Sequence, residues 1–174
     1  MAVLFIPETN ISLSHPNEIR RYLNERGVFF AQWQASVVFE DSATQEEILE
    51  AYSHELEPYM QSNGYRVADV ISINSITPNY EQIRAKFLSE HTHSEDEVRF
   101  FVDGQGYFWF NLENDQPIFN VLCQAGDLIS VPAGTKHWFD AGEINPFVKA
   151  IRVFIDQSGW VPEYTNSRIE QQYL

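Results

Sequence analysis

The sequence predicts a mainly β fold, a sandwich or barrel with flanking helices, on three observations. From residue 90 onward, short apolar runs are separated by turn residues at regular spacing. Helical periodicity is confined to the first half of the 174 residues. Aromatic residues make up 14% of the chain, and flat rings pack well on pleated surfaces.

Each element has its own local reason. Residues 3–6 read as an opening strand. Residues 17–26 read as a helix, with Pro16 at its first turn, Ile19, Tyr22 and Leu23 on one face and Gly27 as its stop. Thr44 and Glu47 form a capping box for a second helix, in which Ile48, Tyr52 and Leu56 recur every fourth residue and Pro58 disturbs the end. Asn63 and Gly64 signal a turn into a strand over 66–73, and Tyr80, Ile83 and Phe87 mark a short helix over 80–88. Strands over 97–102 and 107–112 are expected to pair as a hairpin through Asp103-Gly104-Gln105-Gly106. Further strands follow over 118–123, 128–131, 136–139 and 147–155. Closure into a barrel would remove the exposed edges of such a series. No repeat, low-complexity stretch or linker divides the chain. The expected organisation is one domain over 1–174, helix-rich to about 88, with the barrel core over about 66–160.

The formal net charge of −14 argues against a nucleic-acid partner, because an acidic surface repels phosphate backbones. It also means that an anionic substrate would need local positive charge, from a metal or an arginine. The single cysteine, Cys123, excludes an intramolecular disulfide, and its apolar setting Val121-Leu122-Cys123 reads as a buried structural thiol rather than a nucleophile. The N-terminal residues carry no basic region, and their apolar run is too short for a signal peptide or a membrane span. The expectation is a cytoplasmic protein with no membrane partner.

The chemistry concentrates in His91-Thr92-His93-Ser94-Glu95-Asp96-Glu97-Val98-Arg99. In extended chain the odd positions His91, His93, Glu95, Glu97 and Arg99 share a face unless a bend intervenes, while Val98 and Phe100 face away. Two imidazoles, carboxylates and a guanidinium on one side are costly to bury unless something pairs them, and a metal ion does so. His91 and His93 can converge on one ion, Glu97 adds an anionic oxygen after a bend, and His137, after the turn Pro132-Ala133-Gly134-Thr135, can reach the same ion from another strand. Three imidazoles and one carboxylate leave two open positions on an octahedral ion, which suits a bidentate oxygen substrate. His15 and His54 are read as structural or exposed. Arg99 either forms a surface ion pair with Glu95 or Asp96 or meets a substrate oxyanion with its fixed fork of donors. Phe101, Phe139 and Trp160 are either plain core or the lining of an apolar pocket beside the metal.

The strings H-T-H-S-E-D-E-V-R-F-F-V-D-G-Q-G and G-D-L-I-S-V-P-A-G-T-K-H-W-F-D resemble acireductone dioxygenase, a cupin family of methionine salvage. The specific motifs span about residues 90–139, and the flanks at 80–88 and 150–160 are also similar. The resemblance implies a cupin-type double-stranded β-helix, or jelly-roll barrel. It implies His91, His93, Glu97 and His137 as ligands of one Fe2+, with Ni2+ as the alternative metal, and Arg99 as the group that helps form and hold a substrate dianion. Glu90 and Asp96 match positions linked to metal loading and to local conformational change. The implied partners are the acireductone 1,2-dihydroxy-3-keto-5-methylthiopentene and O2, and the implied state is a monomer. With Fe2+ the family yields 4-methylthio-2-oxobutanoate and formate; with Ni2+ it can yield 3-methylthiopropanoate, formate and carbon monoxide. Two other readings stay open on the residues alone: another metal-dependent cupin enzyme, such as a different dioxygenase or a sugar isomerase, and a non-catalytic cupin binding module.

Overall fold

The computed structural model describes residues 1–156, 158 and 161–174. Trp160, expected at the pocket, lies outside the described residues. Strands β1 (Val3–Ile6) and β2 (Ile11–Leu13) open the chain, followed by helix α1 (Pro16–Asn24) and β3 (Phe29–Gln32). Helix α1 starts where the sequence places it, with Pro16 in its first turn and His15 as N-cap: the His15 ring nitrogen accepts from the Asn17 N–H at 3.2 Å. Helices α2 (Gln45–Ala51) and α3 (Ser53–Asn63) follow, and the Thr44–Glu47 capping box is formed in both directions. Pro58 does not end this region. It sits inside α3, and the helix runs on to Gly64, whose left-handed backbone at φ 75° closes it.

Strand β4 (Val67–Ile73) and helix α4 (Tyr80–Leu88) lead into the second half. There β5 (His91–Thr92), β6 (Glu97–Asn111), β7 (Phe119–Gln124), β8 (Asp127–Val131), β9 (Lys136–Asp140), β10 (Val148–Phe154) and β11 (Glu163–Tyr164) form an antiparallel jelly roll, completed by a 3-10 turn over Ile169–Tyr173. One sheet runs β11-β5-β9-β6-β7-β1-β2, and the other runs β4-β10-β6-β8-β3. Among the described residues no helix is long and apolar enough to cross a membrane.

Strand β6 belongs to both sheets, and here the structure corrects the sequence reading. Residues 103–106 do not turn a hairpin. Glu97–Asn111 is one strand of 15 residues that bends from one sheet into the other. Its first part pairs with β8 and β10, and its second part pairs with β7 and β9. The two glycines that suggested a turn serve the bend. Gly104 has φ 73°, and a Cβ there would lie 2.1 Å from the Phe147 carbonyl oxygen. A Cβ on Gly106 would lie 2.2 Å from the Phe139 ring. The β6–β10 register also shifts beside Ala150, which increases the local twist. We expect Gly104→Ala to destabilise the fold by roughly 2–4 kcal/mol, combining backbone strain with a clash against main chain, as read from a denaturant melt.

The bend lets both faces of β6 be buried. Val98, Phe100 and Val102 point outward, where Ile48, Tyr52 and Leu56 of the helical layer cover them. Glu97, Arg99 and Phe101 alternate with them and point into the barrel. Phe101, Phe108, Phe110, Phe119 and Phe139 build the interior core with Leu4, Val121 and Ile129. Each contributes roughly 2 kcal/mol by leaving water. The buried polar groups Glu97 and Arg99 are therefore set in an apolar shell at one end of that core.

Candidate metal centre

Pairing of distant strands assembles the site. β5 and β9 run antiparallel with His91 directly opposite His137, so two imidazoles meet across one ladder. Their ring centroids are 4.6 Å apart, and that of His93 lies 4.9 Å from His91 and 5.4 Å from His137. The chain bends at Ser94 and Glu95 before β6 begins at Glu97. That bend takes Glu95 off the shared face. Its carboxylate instead accepts the Ile155 N–H at 2.6 Å and the Asp156 N–H at 3.1 Å, closing the end of β10. Glu97 stays inside, with Oε2 at 2.6 Å from His137 Nε2 and 3.2 Å from His93 Nε2.

The donor set fits a metal ion. One ligand atom from each of His91, His93, Glu97 and His137 falls within 4.8 Å of all the others, and all four residues are buried. Bonds of roughly 2.1 Å to a common centre place neighbouring donors about 3 Å apart, close to the Glu97–imidazole separations. Two rings are also oriented for it. His91 Nδ1 lies 2.7 Å from the Ser89 carbonyl, and His137 Nδ1 lies 2.8 Å from the Thr135 carbonyl. A proton on Nδ1 donates there and leaves the Nε2 lone pair pointing inward. Burial, and then the neighbouring His137, push the His91 pKa down to about 4, so the ring is neutral at pH 7. Burial alone would raise Glu97, but the Arg99 charge and then His137 hold its carboxyl well below the usual range. Imidazole with carboxylate is a donor mixture that suits divalent first-row metals.

Arg99 is 2% exposed and donates from Nη2 to Glu97 Oε1 at 2.8 Å. The surface ion pair with Glu95 or Asp96 is therefore not formed, because the strand alternation turns Arg99 inward. Its guanidinium carbon lies 4.5 Å from the Phe139 ring centroid and 5.2 Å from that of Phe108. Beside it opens a cavity of about 240 Å3. His91, His93, Glu97 and Arg99 line its floor, and Ile83, Phe87, Phe139 and Pro162 form an apolar wall. Phe139 thus lines the cavity. Phe101 stands one layer back in the core, its ring 6.3 Å from that of Phe139.

Glu90 and Asp96 lie just outside the four donors. The Glu90 carboxylate is buried and accepts from Asn111 Nδ2 at 2.8 Å, Thr165 Oγ1 at 2.6 Å and Ser167 Oγ at 2.8 Å. It thereby fastens the C-terminal segment to the strand carrying His91. Asp96 accepts the Ala133 N–H at 2.9 Å and the Tyr65 hydroxyl at 3.0 Å, fixing the turn that leads to His137. Cys123 is buried, and burial raises its thiol well above the ordinary value, which fits a structural role.

Several cavity residues were not singled out as site residues from the sequence. Ile83 and Phe87 carried a signal, since they mark the apolar face of α4. Lys86 and Arg152 fall in the flanks that resemble the family but carry no signal of a role there, and Pro162 carries none at all. Arg152 stands opposite Arg99 across β6–β10 and grips Asp69 of β4, with Nε 2.7 Å from Oδ1.

Three imidazoles and a carboxylate converging inside a jelly roll, with a buried arginine and an apolar cavity alongside, define a metal-dependent cupin. The comparisons with known proteins narrow this class. The model of the ARD/ARD' family matches residues 8–162, and the chain belongs to that family. An acireductone dioxygenase of Picosynechococcus sp. is 55% identical over 99% of this chain and 97% of its own length. One of Pseudomonas fluorescens is 48% identical over 94% of this chain and 89% of its own. The solved structure of acireductone dioxygenase from Bacillus anthracis, with a cadmium ion in its active centre, superposes with a TM-score of 0.87 at 36% identity. That superposition covers 94% of this chain and 98% of the other.

Proposed function

We propose that the chain cleaves 1,2-dihydroxy-3-keto-5-methylthiopentene with O2, using one Fe2+ held by His91, His93, Glu97 and His137, to 4-methylthio-2-oxobutanoate and formate. Ni2+ in the same donors would direct the products to 3-methylthiopropanoate, formate and carbon monoxide. The observation that carries this reading is the buried three-histidine, one-carboxylate set opening into a cavity with an apolar wall of Ile83, Phe87, Phe139 and Pro162 and with Arg99 beside the donors. When bound, the ion supplies Lewis acidity and a template for two substrate oxygens. Arg99 supplies a fixed positive charge beside them, held in place by Glu97 and by the rings of Phe108 and Phe139. Ile83, Phe87 and Phe139 exclude water and receive the methylthio tail. Burial lowers the Arg99 pKa while Glu97 opposes that effect. The guanidinium stays charged across the physiological range.

Glu90 and Asp96 act as positioning residues in this reading. Asp96 sets the turn before His137, so Asp96→Ala should weaken metal affinity by about tenfold with the fold retained, as measured by chelator competition. In this reading the protein acts as a cytoplasmic monomer, as the family resemblance implies.

The direct test adds Fe2+-loaded protein to an acireductone analogue and follows its ultraviolet absorbance. Loss of absorbance that requires both protein and O2 is the expected result. A rate equal to the protein-free blank would refute the dioxygenase reading.

A further inference from the structure

Positive charge is scarce here: 11 Lys and Arg stand against 25 Asp and Glu. Yet Lys86, Arg99 and Arg152 all line the cavity beside the metal donors. Their surroundings differ. Arg99 is bound to Glu97 and Arg152 to Asp69. Lys86 forms no ion pair among the described residues. The other two lysines are engaged, Lys136 with Glu113 and Lys149 with the Glu40 carbonyl.

Lys86 lies in the last turn of α4, exposed at the cavity mouth, one position before Phe87 and three after Ile83. Its helix is clamped. Arg84 holds Asp140 of β9 at 2.9 and 3.0 Å, the Tyr80 hydroxyl donates to the Gly142 carbonyl, and the Tyr164 hydroxyl donates to the Lys86 carbonyl at 3.1 Å. The ammonium therefore swings on a fixed base at the rim of an apolar funnel.

We infer that Lys86 is a capture residue, an exposed cation that draws the anionic substrate into the cavity of an otherwise repelling protein; the inference rests on the acireductone reading above. An acidic protein opposes the approach of an anion, and a local cation beside low-dielectric walls reverses that field where it matters. Arg99 and Arg152 are each paired with a carboxylate, so their fields fall off faster with distance than that of a lone charge. A lysine is a hydrated, mobile point charge that attracts without fixing a pose. Its effect belongs in kcat/KM and leaves kcat unchanged.

The test compares Fe2+-loaded parent, Lys86→Met, Lys86→Arg and Arg20→Gln on the acireductone analogue at low and high NaCl. Arg20 is exposed and is not a cavity residue, and its loss changes the net charge by the same unit. At low ionic strength Lys86→Met should lower kcat/KM about fivefold with kcat held, and the gap should shrink below about twofold near 0.5 M salt. Lys86→Arg and Arg20→Gln should match the parent, and all four should carry equal iron. Equal kcat/KM for Lys86→Met and parent at low salt overturns the inference. So does a loss that persists at high salt, a fall in kcat, or the same loss in Arg20→Gln. In each of those cases an active parent leaves the acireductone reading standing. An inactive parent overturns that reading and the capture role with it.

Discussion

His93→Ala should lose its metal while keeping its fold. The expected drop in affinity is at least about a thousandfold, because one of four protein donors disappears from a site whose remaining groups cannot close around the gap. The substitution is a clean probe. His93 follows the two-residue strand β5 and precedes the bend at Ser94, so its ring supports the donor cluster more than the core. Metal content after dialysis and the thermal shift on loading both report it, since an ion that binds only the folded state raises the melting temperature. Full occupancy in the variant would remove His93 from the ligand set. A circular dichroism spectrum equal to that of the parent shows that the loss is local.

Arg99→Ala should give the opposite pattern, with metal retained and turnover largely lost. Removing a buried cation that faces developing negative charge costs on the order of 100- to 1000-fold in rate. Glu97 keeps its place among the donors, where the ion offsets the missing guanidinium. In the metal-free protein the same change leaves a buried carboxylate without its strongest partner and costs about 3–5 kcal/mol. The variant should therefore be destabilised as apoprotein and rescued by metal. Arg99→Lys separates charge from shape. A point charge on a flexible stem cannot reproduce the planar guanidinium held against Glu97 and Phe139, so it should recover part of the rate only. Unchanged kcat in Arg99→Ala would limit Arg99 to supporting Glu97.

The donors were legible in the sequence because strand periodicity is local. His91, His93 and Glu97 sit within seven residues, and alternation predicts that Glu97 and Arg99 face inward while Val98 and Phe100 face out. His137 was legible from its turn and strand. Alternation holds only if no bend intervenes, and the bend at Ser94 is what separates Glu95 from its neighbours. The corner of β6 was misread because Asp103-Gly104-Gln105-Gly106 has the composition of a hairpin turn. Only the tertiary partners reveal otherwise: Phe147 and Phe139 press on Gly104 and Gly106, and two different sheets claim the two ends of the strand. Arg152 and Asp69 could not be found from local pattern, since their contact spans 83 positions and depends on β10 pairing with β4. Pro58 misled because a proline near a predicted helix end reads as a stop, whereas the chain breaks earlier, at Tyr52, and restarts as α3.

The most direct test of the central claim is a single incubation of Fe2+-loaded protein with acireductone under isotopically labelled O2, with metal counted and products weighed by mass spectrometry. The account predicts one iron per chain, with one labelled oxygen in the carboxylate of the keto acid and one in formate. Unlabelled products, or labelled products from protein whose His91, His93, Glu97 and His137 hold no metal, would contradict it.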